Sequence, residues 1–338
     1  MARIEFHTGK KLDKKEDLEP LLKQLTSETK ELSLQGNSLS VYASELIGNA
    51  LNVELSYLDI HDCFTGRLKT DVPLSIDHLL RNCPNLTEID ICDNALSVLG
   101  AKHLSYYIQD SKLEIIKISN TGIGIEGVKH IANGLNKYCQ HHETPPLREF
   151  HCGRNRLESG SQFLAVELAK CTELRVLRLF QNGIRPDFIK FLSFQLRGTK
   201  SELGLSKLTH LDLQDNSFML SGSKAFATEL LPVLKELQIL NVGECLTKDA
   251  GGVYILKELV KLKHLQLVDM TYNELFKKSL QLIYKEKAFW KHVTLHLNGN
   301  VFDPESELAL QVMDSIKTDE WDDMELPDSD EEEEEEEE

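Results

Sequence analysis

Apolar residues recur in this chain in a fixed phrase, L-x-x-L-x-L-x-x-N-x-L, repeated along nearly its whole length. Clear copies run through Leu86, Ile89, Ile91, Asn94 and Leu96; Leu147, Phe150, Cys152, Asn155 and Leu157; Leu174, Leu177, Leu179, Asn182 and Ile184; and Leu208, Leu211, Leu213, Asn216 and Phe218. The asparagine position falls at Asn37, Cys63, Asn94, Thr121, Asn155, Asn182, Asn216, Cys245, Asn273 and Asn300, so cysteine or threonine replaces it in three copies. The spacing averages roughly 29 residues. The L-x-L alternation predicts a short strand with alternate side chains turned inward, and the asparagine bonds the backbone of neighbouring coils. Ile76, Leu79 and Leu80, or Val253, Leu256 and Leu259, stand at helical spacing between strands.

Together these features predict an α/β fold, a leucine-rich-repeat solenoid of about ten strand-helix units. Its parallel strands line the concave face of a horseshoe, because a helix is wider than a strand and forces the stack to curve. Residues 1–318 form one repeat domain with caps at both ends: Met1 to Ser27, and Asp303 to Lys317, with Asp303 as N-cap and Pro304 at the first helical position. Two intervals of 34 residues mark insertions, near Asn136 to Pro146 and Arg197 to Lys207. A third irregularity is Phe64-Thr65-Gly66-Arg67-Leu68-Lys69.

Charge alters this picture at one end only. Fifteen of the 55 acidic residues lie between Asp319 and Glu338, so the formal net charge of −17 belongs to the tail and the repeats are nearly neutral. Eight consecutive glutamates repel one another and bury nothing, which predicts a disordered acidic tail over 319–338. Ser329, among Asp328, Asp330 and Glu331, is a candidate for acid-directed phosphorylation. Seven cysteines at irregular spacing form no CxxC pair and are expected to be reduced and mostly structural. There is no apolar leader and no run of 18 apolar residues, which points to a soluble intracellular protein.

The residue before each asparagine position leaves its strand at one rim. From the second unit that row reads Asp62, Asp93, Asn120, Arg154, Gln181, Asp215, Glu244 and Tyr272. With Arg67, Lys69, Arg156 and Arg185 nearby, it makes a mixed-sign edge suited to a protein partner. Other chemical signals are weaker. Gly122-Ile123-Gly124-Ile125-Glu126-Gly127 satisfies G-x-G-x-x-G, yet every unit has the same strand, loop and helix; no P-loop motif occurs. In His61-Asp62-Cys63 adjacent side chains point to different sides and form no relay. His141-His142-Glu143 lacks a third well-spaced ligand, and the leucines from Leu259 to Leu267 that mimic an export signal are core positions.

Phe64-Thr65-Gly66-Arg67-Leu68-Lys69 resembles the F-T-G-R-x-K loop of the Ran GTPase-activating proteins. Cys152-Gly153-Arg154-Asn155-Arg156-Leu157-Glu158, Gln181-Asn182-Gly183-Ile184-Arg185-Pro186 and Leu213-Gln214-Asp215-Asn216 extend the resemblance over essentially the full chain. It implies a GTPase activator without an active site of its own, acting on Ran-GTP, alone or with a Ran-binding protein, as a monomer within nucleocytoplasmic transport. Needing no cofactor, it would leave GTP and magnesium to Ran. In that family the loop arginine, matched by Arg67, organises the binding surface rather than entering the GTPase. The asparagine matched by Asn120 holds Ran's own glutamine in its water-positioning pose. Asp62, Lys69, Asp93, Arg154, Arg156, Gln181, Arg185 and Asp215 are then expected partner contacts, although Arg156 has an equally good reading as a brace between repeats. Asn155, Asn182 and Asn216 are expected to be structural. The chain departs from the family at Thr121, where a second asparagine is usual, which puts the turn that aims Asn120 in doubt. Animal members carry a further C-terminal domain that tethers them to nuclear pores; this chain stops at its glutamates, so a freely diffusing cytoplasmic protein is expected. Rival readings are an acidic-tailed repeat protein serving as histone chaperone or phosphatase inhibitor, disfavoured by the long period, and a ribonuclease-inhibitor-like binder, disfavoured by the low cysteine content.

Overall fold

The computed structural model describes residues 2–199 and 204–318. From the second unit onward each L-x-L phrase forms a three-residue strand, and every strand pairs in parallel with that of the next coil. The central apolar residues stack in one row, Leu58, Ile89, Ile116, Phe150, Leu177, Leu211, Leu240, Val268 and Leu295, none more than 1% exposed. Helices such as Val72–Leu80, Ser97–Gln109 and Lys248–Leu259 close the coils on the other side of this core. Ile76, Leu79 and Leu80 are buried as their spacing predicts, but in Lys248–Leu259 the inward face centres on Ile255, Leu256 and Leu259, leaving Val253 half-buried at its edge.

The main sheet has eleven strands rather than ten. Ala2–Glu5, within the expected N-terminal cap, pairs in parallel with Thr29–Ser33, and the cap continues through Lys11–Leu12 and the helix Lys15–Leu22. At the other end the last helix is Glu307–Ser315, capped by Ser306, whose hydroxyl accepts from the Ala309 N–H. Asp303 is therefore not the N-cap; its carboxylate accepts from the Glu305 N–H two residues further on and forms a turn. The insertion near Asn136 to Pro146 is taken up in part by a longer helix, Gly124–His141. The second insertion is described only in part, and the acidic tail lies outside the described residues.

The asparagines form the predicted ladder. The Asn182 side-chain carbonyl accepts from the Asn155 N–H at 2.9 Å, while its amide donates to the carbonyls of Cys152 and Leu179, both at 2.9 Å. Asn94, Asn155, Asn216, Asn273 and Asn300 repeat the pattern, each no more than 3% exposed. Cys63 and Cys245 retain one contact to the preceding coil, their thiols donating to the Leu34 and Leu213 carbonyls. Asn182→Ala would leave one buried N–H and two carbonyls without that partner, so we expect a loss of about 3 kcal/mol, read as a lower urea midpoint. Gln181→Ala, one residue away on the surface, should move it by less than about 0.5 kcal/mol.

Candidate functional rim

Where the strand ends, the chain must reverse within two residues to enter the asparagine position, and it does so through a left-handed residue. Gly36, Asp62, Asp93, Asn120, Arg154, Gln181, Asp215, Glu244, Tyr272 and Gly299 all have φ between +51° and +73°. Only glycine adopts this conformation without steric cost; other residues lose roughly 1 kcal/mol each. The two end repeats use glycine. The eight between them retain a side chain at each left-handed turn, so eight side chains project in series along one rim.

These turns place most of the expected residues side by side. Asp62, Asn120, Arg154 and Gln181 are exposed, and Asp93 and Asp215 are half-exposed. Arg156 follows Asn155 in a second left-handed turn, φ +53°, and Arg185 is the residue that enters the helix Pro186–Leu196. Among the described residues, the side chains of Lys69, Arg154, Arg156 and Arg185 have no hydrogen bond, ion pair or aromatic partner. Arg156 is thus not held as a brace; it faces a 190 Å³ pocket shared with Glu158, Gln181, Asp215 and Glu244.

Arg67 lies differently. Its guanidinium is 17% exposed, paired with the Asp13 carboxylate at 2.7 Å, and donates to the Ser38 carbonyl. These contacts draw it towards the N-terminal cap and pin the loop after Cys63 across two earlier coils. Gly66 supplies that loop's left-handed turn at φ +78°.

Asn120 heads a short polar chain. Its side-chain amide donates to Asp93 Oδ1, and Asp93 Oδ2 lies 2.9 Å from His61 Nε2. His61 is a residue that sequence reading dismissed as part of His61-Asp62-Cys63; Cys63 is fully buried and Asp62 points to the rim, so no relay exists within that triplet. The contact with Asp93 spans 32 positions, and only the repeat period foreshadows it. Thr121 leaves the turn unchanged, for Asn120 has φ +54° like its neighbours. The Thr121 hydroxyl bonds the Ile118 carbonyl at 2.9 Å and Asn155 Oδ1 at 3.0 Å.

On the concave face inside the rim, burial, then Arg178 and Lys117, push the His151 imidazole down to about 4. It is therefore uncharged at neutral pH. Cys63, Cys83, Cys152 and Cys245 are buried with their thiols raised by burial, which makes them unreactive. Gly122 and Gly124, the start of the G-x-G-x-x-G motif, occupy left-handed turns that another coil fills with Arg156 and Glu158. No cluster of metal-ligating side chains occurs among the described residues, and no helix there is long and apolar enough to cross a membrane.

No family model matches the chain. It is 33% identical to Ran GTPase-activating protein 1 of Saccharomyces cerevisiae, over 94% of this chain and 81% of that protein. Identity is 32% with Ran GTPase-activating protein 2 of Caenorhabditis elegans, over 95% of this chain and 35% of the worm protein. With Ran GTPase-activating protein 1 of Xenopus laevis it is 30%, over 52% and 33% of the two chains. This chain thus matches about a third of the length of the worm and frog proteins. Among solved structures, a chain in the crystal structure of the Rad7 and Elc1 complex in yeast matches with a TM-score of 0.57 over 90% of this chain and 70% of that one. At 13% identity that likeness concerns the fold alone.

Proposed function

Because the chain belongs to the Ran GTPase-activating protein family, we propose that it accelerates GTP hydrolysis by Ran through the left-handed rim. The observation that carries this reading is the run of eight strained turns that retain side chains, flanked by unpaired arginines. Ran-GTP docks against Asp62, Lys69, Arg154, Arg156, Gln181, Arg185 and Asp215. The nucleotide and its magnesium stay on Ran. Asn120 steadies the glutamine of Ran that positions the attacking water, a contribution of orientation rather than of new chemistry. An arginine inserted into the GTPase is not needed, and the engagement of the Arg67 guanidinium with Asp13 and Ser38 supports that view.

Such an activator keeps Ran-GTP low where it resides, and we place this one in the cytoplasm, maintaining the gradient that drives nucleocytoplasmic transport. A catalytic amount of the chain added to GTP-loaded Ran should release phosphate in a burst, while Ras and Rho proteins remain at their intrinsic rates. An unchanged lifetime of Ran-bound GTP would end this reading. The glutamate run should steer association with a basic surface over about a Debye length. Removing Asp319 to Glu338 is accordingly expected to slow capture of Ran more at low salt than at high salt; an effect independent of salt would leave the tail only a solubilising role.

A further inference from the structure

We propose that Asp93 is a positioning residue that, together with His61, fixes which end of the Asn120 amide faces the partner. The inference rests on the rim being the site of GTPase activation. A side-chain amide can rotate by half a turn and exchange its donor and acceptor ends at almost no steric cost, so a surface asparagine alone does not present a defined group. Here the ambiguity is removed. An ionised carboxylate only accepts hydrogen bonds, and Asp93 Oδ1 faces the amide; the NH₂ must therefore lie towards Asp93 and the carbonyl Oδ1 away from it. Flipping the amide would set oxygen against oxygen.

Asp93 is itself held. Its second oxygen lies 2.9 Å from His61 Nε2, which must carry the proton to face a carboxylate, and its main-chain carbonyl accepts from the Thr65 hydroxyl at 3.0 Å. Three segments thus meet at this residue: the end of the preceding strand at His61, the loop that carries Arg67, and the turn of Asn120. Asp62 and Asp215, at the same turn of other coils, make no side-chain hydrogen bond among the described residues and remain available to a partner. Both Asp93 oxygens already have one. The chemical consequence is specific: the end of Asn120 turned away from Asp93 is its Oδ1 acceptor, so a group held at that end must be a hydrogen-bond donor such as an amide NH₂.

The test is single-turnover hydrolysis of Ran-bound GTP across a range of chain concentrations. Asp93→Asn keeps the size but can donate to the Asn120 oxygen, which allows the amide to turn. We expect the limiting rate to fall about tenfold with the half-saturating concentration unchanged, the loss of one charge-assisted hydrogen bond. Asp93→Ala combined with Asn120→Ala should be no slower than Asn120→Ala alone. His61→Ala should also slow the reaction, and His61→Gln, which restores an N–H donor, should recover part of the rate. In the free chain, Asp93→Asn and His61→Ala should both displace the Asn120 side-chain amide resonances in an NMR spectrum. A limiting rate unaltered by Asp93→Asn, or a change confined to half-saturation, would overturn the positioning role in favour of a spectator or a direct contact. Failure of the unmodified chain to accelerate Ran would remove the proposed function itself, and this role with it.

Discussion

Asn120→Ala is expected to lower the limiting rate of Ran-bound GTP hydrolysis on the order of 10²-fold, about 3 kcal/mol, with little change in the chain's thermal stability. The size follows from what an orienting contact supplies. A polar group fixed before the reaction removes rotational freedom from the water-positioning side chain and does not itself need to reorganise, and deleting one such group typically costs this much. The stability half of the expectation follows from the fold. Asn120 is exposed, and the bonds that stitch its coil to the next are made by its main-chain N–H, which alanine retains, and by Thr121 and Asn155 beneath it. Saturating chain must be used, so that weaker docking is not mistaken for slower chemistry. A wild-type rate under those conditions would remove Asn120 from the mechanism.

The phase of the repeat was legible in the sequence because burial is repeated at fixed intervals: every asparagine position, and the strand before it, can be found from leucine spacing alone. The eleventh strand was not, since Ala2–Glu5 buries Ile4 without the rest of the phrase. Its coil is recognised only by its partner: the Asn37 amide donates to the Phe6 carbonyl, and the Thr8 N–H donates to Asn37 Oδ1. The rim was legible as a row but not as a strained one. Arg154, Gln181, Glu244 and Tyr272 have no intrinsic preference for a left-handed backbone, and only the glycines Gly36 and Gly299 and the row's Asp and Asn residues hint at it. The contact between His61 and Asp93 escaped notice for a related reason. Their pairing depends on neighbouring coils lying in register, a property of the stack and of neither local segment.

Arg67→Ala should abolish most of the stimulation, at least on the order of 10²-fold, while the horseshoe still melts near its normal temperature. Two explanations give the same first result, and the geometry separates them. If Arg67 entered the GTPase to neutralise transition-state charge, it would first have to leave Asp13, and Asp13→Ala, by freeing it, should preserve or raise activity. If Arg67 instead holds the loop from Phe64 to Lys69 against the cap, removing Asp13 loosens the same loop and activity should fall, about tenfold for the loss of one charge-assisted hydrogen bond. The half-buried position of the guanidinium, 17% exposed and engaged at both of its terminal nitrogens, favours the second outcome. Arg67→Lys sharpens the distinction: a lysine retains the charge a finger requires but cannot fork between the Asp13 carboxylate and the Ser38 carbonyl. Substantial activity in Arg67→Lys together with undiminished activity in Asp13→Ala would show that the arginine acts on the nucleotide, and would contradict the loop-holding role.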